Sequence, residues 1–308
     1  MSTKGTKKFT KLCRMSQSEL KKYVATQLEH THNIVLKGDG YVYAKGSFPV
    51  LLVAHMDTVH KKLPNTILYN SKKQTISSLN GIGGDDRCGI YMVLEVIKKF
   101  NCSVLFTEDE EIGGIGADKF CATELAKELE FNYMIEFDRA NASDAVFYDC
   151  DNPKFEEFIT KEFYKTSWGT FSDISVLAPY IGCAAVNLSC GYYKAHTKDE
   201  YVVFPEMEKS IEAACKILER TTEEDKFEYI EAKYSGYRYY GKYDKYYNNG
   251  YYEEKYYIIE YKDKNDIDQW FDVIAYTEAE AVGKFCMQNQ DLTYGDIIDV
   301  YDMPDYGY

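Results

Sequence analysis

A chain of 308 residues with 45% hydrophobic composition has ample material for a core. It exceeds the usual length of one domain, which predicts a main domain plus an appendage. A net charge of −14 excludes a nucleic-acid partner, which needs a positive surface, and no window approaches the roughly 20 apolar residues of a membrane span.

The chain opens on a Lys/Arg-rich stretch (Lys4, Lys7, Lys8, Lys11, Arg14). No apolar h-region follows, so it reads as a solvated tail and not as a signal peptide. Ser16-Gln-Ser-Glu19 has the form of a capping box, and Leu20, Tyr23, Val24 and Leu28 follow at helical spacing. Residues 33–37 and 41–45 flank Gly38-Asp39-Gly40, a hairpin signal, and a second hairpin is expected over 66–79 around Asn70-Ser71-Lys72-Lys73.

Between these hairpins runs Leu51-Leu-Val-Ala-His55-Met-Asp57-Thr-Val-His60. Residues 50–54 read as a buried strand that stops on a His-x-Asp pair. That places an imidazole and a carboxylate at the carboxyl edge of a sheet, where open α/β sheets build their sites. The pair suits a metal ligand oriented by a neighbouring acceptor, and equally an ordinary hydrogen-bonded loop. Gly81-Ile-Gly83-Gly84-Asp85-Asp86-Arg87-Cys88-Gly89 then runs into a helix whose buried face is Ile90, Val93, Leu94, Ile97 and Phe100. The loop lacks the Lys-Ser/Thr of a phosphate-binding loop, and two adjacent acids suit a cation better than an anion.

Residues 102–106 form another expected strand, ending in Thr107-Glu108-Asp109-Glu110-Glu111-Ile-Gly113-Gly114. Four consecutive acids are commonly a solvated run, but their position at a strand end before Gly-Gly favours a site. A helix is expected over 117–129, then a strand over 132–137 ending on Asp138-Arg139, a strand over 145–149, and a helix opened by Asn152-Pro153 that buries Phe155, Phe158 and Ile159. Gly169-Thr-Phe-Ser172-Asp173 leads into a helix to Ala178, a strand over 183–189, and Gly191-Tyr192-Tyr193-Lys194-Ala195-His196-Thr-Lys-Asp-Glu200-Tyr201. A last helix from Pro205 buries Met207, Ile211, Ala214 and Leu218. Strands alternating with helices predict an α/β fold, a mostly parallel sheet sandwiched by helices.

Beyond about Lys226 the composition shifts to Tyr with Lys, Gly, Asn and Glu. The expected organisation is a main domain over 1–225, a Tyr-rich linker or extension over 226–254, and a small C-terminal α+β appendage over 255–308. In the appendage, strands over 256–261, 269–275 and 296–301 and a helix capped by Thr277-Glu-Ala-Glu280 are expected. The Tyr-rich tail is a candidate surface for a protein partner. The nine cysteines (13, 88, 102, 121, 150, 183, 190, 215, 286) are odd in number, scattered and without C-x-x-C spacing. They read as small buried hydrophobes of a protein in a reducing cytoplasm.

Five strand ends or loops therefore carry His55, Asp85, Glu110-Glu111, Asp138 and His196. Two imidazoles and three carboxylates make the N/O donor set that zinc favours, with Co2+ or Mn2+ as substitutes. The order H-M-D-T-V, G-x-G-G-D-D-R, D-E-E-x-G-G, F-D and A-H-T-x-D-E-Y resembles the co-catalytic di-zinc metallopeptidases: peptidase T, the acetylornithine deacetylase and desuccinylase relatives, and the glutamyl aminopeptidases. The resemblance covers roughly residues 30–220 and implies a zinc-exopeptidase-like fold with two Zn2+.

By that resemblance Asp85 would bridge both metals, His55 and Asp138 would complete one shell, and Glu111 and His196 the other. Glu110 would be the general base for a metal-held water nucleophile, Asp57 would orient His55, and the peptide between Asp85 and Asp86 would be cis. Many members carry a lid or dimerisation domain between the positions of Asp138 and His196. Here fewer than sixty residues separate them, so the lid is lacking and an aminopeptidase-like arrangement is favoured. Tyr192, Tyr193 and Ser172-Asp173 are then candidates to assist near the metals. The function this implies is cleavage of peptide or amide bonds in short peptides. The rivals are a deacylase of N-acyl amino acids and a non-catalytic binding or assembly protein on a peptidase fold. A homo-oligomer is compatible with the resemblance.

Overall fold

The computed structural model describes residues 3–232 and 255–275, with 281, 282, 284, 285, 289, 292 and 296–302. They divide into two compact units, one of Met1–Ser167 and Ser172–Ile230, the other of Trp168–Phe171 and Glu231–Tyr308.

The first unit opens with helices α1 (Thr3–Cys13) and α2 (Gln17–Glu29). The Lys-rich start is thus not a solvated tail. Phe9, Leu12 and Cys13 recur at helical spacing and are buried, Phe9 lies edge-on to Tyr91 and Phe204, and Lys8 pairs with Glu95 at 2.8 Å. An apolar stripe of three residues is enough to dock a basic helix, because its lysines keep their charged ends in water. Ser16 and Glu19 form the capping box of α2.

The hairpin β1 (Ile34–Gly38) and β2 (Tyr41–Lys45) turns through Asp39-Gly40, with Gly40 at φ 83°, where a side chain would be strained. Then come β3 (Phe48–His55), the hairpin β4 (Ile67–Asn70) and β5 (Thr75–Ser78), α3 (Gly84–Val96) and β6 (Cys102–Thr107). The single helix expected over 117–129 is two, α4 (Ile115–Cys121) and α5 (Glu124–Lys127). Thr123 interrupts it by taking the N-cap of the second, its side chain accepting from the Ala126 N–H. The unit is completed by β7 (Tyr133–Arg139), β8 (Asp144–Val146), α6 (Pro153–Thr160), β9 (Lys165–Ser167), α7 (Asp173–Ile181), β10 (Ala185–Ser189), β11 (Tyr192–Tyr193), β12 (Tyr201–Val203) and α8 (Phe204–Arg220).

The main sheet has the order β1-β2-β6-β3-β7-β10-β8-β9, and its four central strands run parallel. Both faces are covered, which is why β3 reads as an unbroken apolar run. Val50, Leu52 and Ala54 enter one core, with Phe9, Ile90 and Phe155. Leu51 and Val53 enter the other, with Ala117, Phe120 and Leu177. Helix α3 is buried all round rather than along one stripe, because it lies between the sheet and α1 and α8. A smaller sheet, β11-β12-β5-β4, stands beside the loop after β10.

Close packing under α3 leaves no room at Gly89, where a Cβ would come 1.8 Å from the Phe137 carbonyl oxygen and 2.4 Å from Asp86 Oδ2. Backbone cannot step aside as a flexible side chain can. Gly89→Ala is therefore expected to destabilise the fold by about 2–4 kcal/mol, read as a lower urea midpoint; an unchanged midpoint would refute the packing argument.

The first unit extends to Ile230 because Phe227 completes an aromatic cluster with Tyr133, Phe155 and Phe158. The second unit contains β13 (Lys255–Lys262), β14 (Asp268–Ala275) and β15 (Ile297–Asp302), antiparallel in the order β14-β13-β15. One face packs Tyr257, Ile259 and Val300 against Ala281, Val282 and Phe285. The Tyr-rich stretch from 233 to 254, the expected cap at Thr277–Glu280 and Cys286 lie outside the described residues. The other eight cysteines are free and buried. Among the described residues no helix is long and apolar enough to cross a membrane.

Candidate active site

The four parallel strands deliver their carboxyl ends to one edge. His55 is the last residue of β3, and the Met56 N–H donates to the Thr107 carbonyl at 2.8 Å, so the loops after β3 and β6 stay side by side. Asp57 ties them further. Its carboxylate accepts from His55 Nδ1 (3.2 Å) and from the backbone N–H groups of Glu110 (3.1 Å) and Glu111 (3.0 Å). With Nδ1 committed to Asp57, His55 turns Nε2 toward Asp85 Oδ1 (3.1 Å) and Asp138 Oδ1 (3.4 Å).

Asp85 is the hinge of the arrangement. Its Oδ1 faces His55, while its Oδ2 lies 3.1 Å from His196 Nε2. Glu111 Oε2 is 3.0 Å from the same His196 nitrogen. Two groups result, His55–Asp85–Asp138 and Asp85–Glu111–His196, and within each the candidate ligand atoms lie within 4.8 Å of one another. Glu110 belongs to neither, its Oε2 standing 3.8 Å from His55 Nε2. The Asp85–Asp86 peptide is cis. Asp86 turns to the protein, accepting from the His55 N–H (3.2 Å) and the Gly89 N–H (2.8 Å).

The acidic run is not a solvated face. Glu108 pairs with Lys21 of α2 at 2.5 Å, Asp109 accepts from Gln17 Nε2 at 3.1 Å, and the next two acids hang from Asp57 by their N–H groups.

Several residues that hold the site carried no role in the sequence reading. Glu200, fully buried, accepts from the N–H groups of Gly83 (2.7 Å) and Asp85 (3.1 Å) and contacts His60 Nε2 at 2.8 Å, so it fixes the glycine loop that presents Asp85. Arg87 is also buried, and its guanidinium donates to the carbonyls of Met56 (2.8 Å) and Asp57 (3.0 Å). Asn187 accepts from the Asp138 N–H (2.8 Å) and donates to the Asp138 carbonyl (3.0 Å). Ser172, already a candidate from the sequence, bridges the carboxylates of Glu136 and Asp138, the latter at 3.3 Å. Of the two tyrosine candidates, Tyr192 donates its hydroxyl to Asp138 (3.3 Å to Oδ1), whereas the Tyr193 hydroxyl donates to Glu206 at 2.6 Å and stacks on Tyr201. Asp173 is buried, accepts from the Thr107 hydroxyl and belongs to neither group.

The electrostatics call for added positive charge. Burial, with the charge of Asp85 next, raises the Asp138 carboxyl from 3.8 to about 6, and burial raises Asp173 to about 7. Burial and the neighbouring carboxylates Asp138, Asp173 and Asp85 push Glu110 well above the usual range, against the pull of His55. Hydrogen bonds to Asp85 and Glu111 raise His196 from 6.5 to about 10. Burial alone would lower His55, but Asp138, Asp57 and Asp85 together raise it. Glu111 Oε1 is buried with no hydrogen-bond partner among the described residues. An N/O donor set with a shared carboxylate, an unpartnered carboxylate oxygen and an excess of buried acid fits two divalent cations held side by side.

Those values carry a pH prediction. Asp138, Asp173 and His196 each have a folded-state pKa above the unfolded one, so the metal-free native state binds more protons and loses stability as pH rises. The window runs from about 4 to 7 for the two carboxyls and from about 6.5 to 10 for His196. Asp57 and Asp85, held low chiefly by hydrogen bonds from the histidines against the cost of burial, act oppositely but only in the acid range. The metal-free melting temperature should fall by about 5 °C or more between about pH 5.5 and pH 8.5. Added Zn2+ should raise it more at the higher pH, because a cation competes with protons for the same atoms. A flat metal-free profile would contradict this charge distribution.

No family model matches the chain, and no curated protein matches it in sequence. Its fold is shared with solved peptidases. The aminopeptidase PepT from Bacillus cereus superposes with a TM-score of 0.56 at 16% identity, covering 70% of this chain and 97% of that one. A tripeptidase from Staphylococcus aureus gives 0.57 at 12% identity, over 70% and 96%. An aminopeptidase from the archaeon Desulfurococcus kamchatkensis gives 0.53 at 16% identity, over 70% and 95%.

Proposed function

We propose that the chain is a di-zinc metallohydrolase acting as an aminopeptidase on short peptides. The observation that carries the reading is the single Asp85 carboxylate placed between two His/carboxylate groups, with Glu110 close by and outside both. In this reading His55 and Asp138 would hold one cation, Glu111 and His196 the other, and Asp85 would serve both. Divalent cations so held supply Lewis acidity for a carbonyl and bring the pKa of water near neutrality. Glu110 takes the proton of the attacking water and passes it to the leaving amine. Asp57 holds His55 Nδ1, so that Nε2 faces Asp85 and Asp138, and anchors the Glu110-Glu111 backbone. Glu200 and Arg87 hold the loops that bear Asp85 and Asp57.

The shared fold with an aminopeptidase and a tripeptidase supports short peptides as substrates, and so does the short interval between Asp138 and His196, which holds α6, α7 and small strands and no further domain. Residues 1–225 would be the catalytic domain, acting in the cytoplasm, with the Tyr-rich stretch and the appendage outside it. Protein loaded with zinc or cobalt should hydrolyse aminoacyl anilides and di- and tripeptides with a free amine, and should do so at least about tenfold faster than their N-acetylated counterparts. Preference for the N-acylated substrates would replace the aminopeptidase with a deacylase. Turnover of neither, in protein shown to carry two metals, would sink the hydrolase.

A further inference from the structure

Among the described residues, the sheet of the second unit packs one face into a small core and carries exposed aromatic side chains on the other. With Tyr257, Ile259 and Val300 in the small core, the register puts Glu260 on the opposite face, across from Trp270 of β14 and Asp299 of β15. Tyr256, Asp272 and Tyr301 share that face. Trp270 is 64% exposed, Tyr256 44% and Tyr301 38%.

These rings are held in place. Trp270 Nε1 donates to Glu260 Oε1 at 3.1 Å, the Tyr301 hydroxyl donates to the same oxygen at 3.0 Å, and the Tyr256 hydroxyl donates to Asp272 Oδ2 at 2.6 Å. Three aromatic side chains fixed on a flat surface lose little further freedom when something stacks on them, so the face is preorganised. Its charge says what would stack. Lys262 is paired with Asp268 at 2.9 Å, and Glu260, Asp272 and Asp299 beside the rings make no ion pair with another described residue. Electron-rich ring faces next to carboxylates attract guanidinium and ammonium groups, and the same carboxylates repel phosphate. A carboxylate accepts about four hydrogen bonds, and the rings use two on Glu260.

We propose that this face docks a basic segment of a partner polypeptide, an Arg or Lys side chain lying on Trp270 and pairing with Glu260 and Asp272. The proposal is independent of the hydrolase reading. The chain has two tryptophans, so the full-length Trp168→Phe variant leaves Trp270 as its own reporter. Titration with a decapeptide of alternating D-Arg and Gly, which a peptidase for L-peptides leaves intact, should quench its fluorescence saturably. The apparent Kd should weaken about tenfold in Glu260→Gln and in Asp272→Asn, and also in about 0.5 M salt, with circular dichroism unchanged. No quench, an equal response to a D-Glu/Gly decapeptide, or a response to cellohexaose in place of the basic peptide would each overturn the proposal. So would full binding in both variants.

Discussion

Asp85→Asn is expected to remove both cations together and to lower turnover by about 10³-fold or more. Each oxygen of the Asp85 carboxylate faces a different imidazole, Oδ1 toward His55 and Oδ2 toward His196. An amide keeps one acceptor oxygen, offers a donor where the other stood, and carries no charge. It gives neither group a charged oxygen, and it no longer screens two cations from each other. The other proposed ligands belong to single groups, so Asp138→Asn should cost one metal and leave the pair Glu111 and His196 able to hold the second with Asp85. Metal content after dialysis against about 1 µM zinc separates the two outcomes. Two tightly bound metals in Asp85→Asn would show that it does not bridge.

Much of this arrangement is legible in the sequence because its parts are local. A strand that stops on His-x-Asp, a glycine loop ending in Asp-Asp and an acidic run before Gly-Gly each announce a loop at a strand end. The parallel α/β pattern then brings such ends to one edge. What supports those residues is less legible, because it depends on partners distant in sequence. Glu200 reaches Gly83 and Asp85 across more than a hundred residues. Glu136 and Asn187 left a fainter mark, each a polar residue set between apolar neighbours in its strand. In a strand buried on both faces such a residue needs a partner, and both find theirs around Asp138 through Ser172 or directly.

The errors have the same origin. Five Lys and Arg stand out in the first fourteen residues, while only three apolar side chains, at positions i, i+3 and i+4, dock α1. A helix continued through Thr123 looks sound by propensity, yet its hydroxyl caps the next turn instead. Tyr192 and Tyr193 are indistinguishable by type. The alternation of a strand sends one hydroxyl to Asp138 and the other to Glu206.

Glu110→Gln is expected to separate catalysis from metal binding. Glu110 lies in neither ligand group, and its backbone is anchored by Asp57 through an N–H that the substitution leaves untouched. Both metals should therefore stay, while kcat falls by about 10²- to 10⁴-fold, the usual share of a positioned base. The pH profile gives a second readout. Burial and the surrounding carboxylates hold the Glu110 carboxyl well above its ordinary range. Since only the ionised form can take a proton, the rate in the unmodified chain should rise with pH through an acidic limb. Glutamine has nothing to titrate, so that limb should vanish with the activity that remains. Glu110→Asp, which keeps the carboxylate but draws it back by one methylene, should restore the limb at a lower plateau. Wild-type turnover in Glu110→Gln with both metals in place, or an acidic limb that survives the substitution, would assign the proton transfer to another residue.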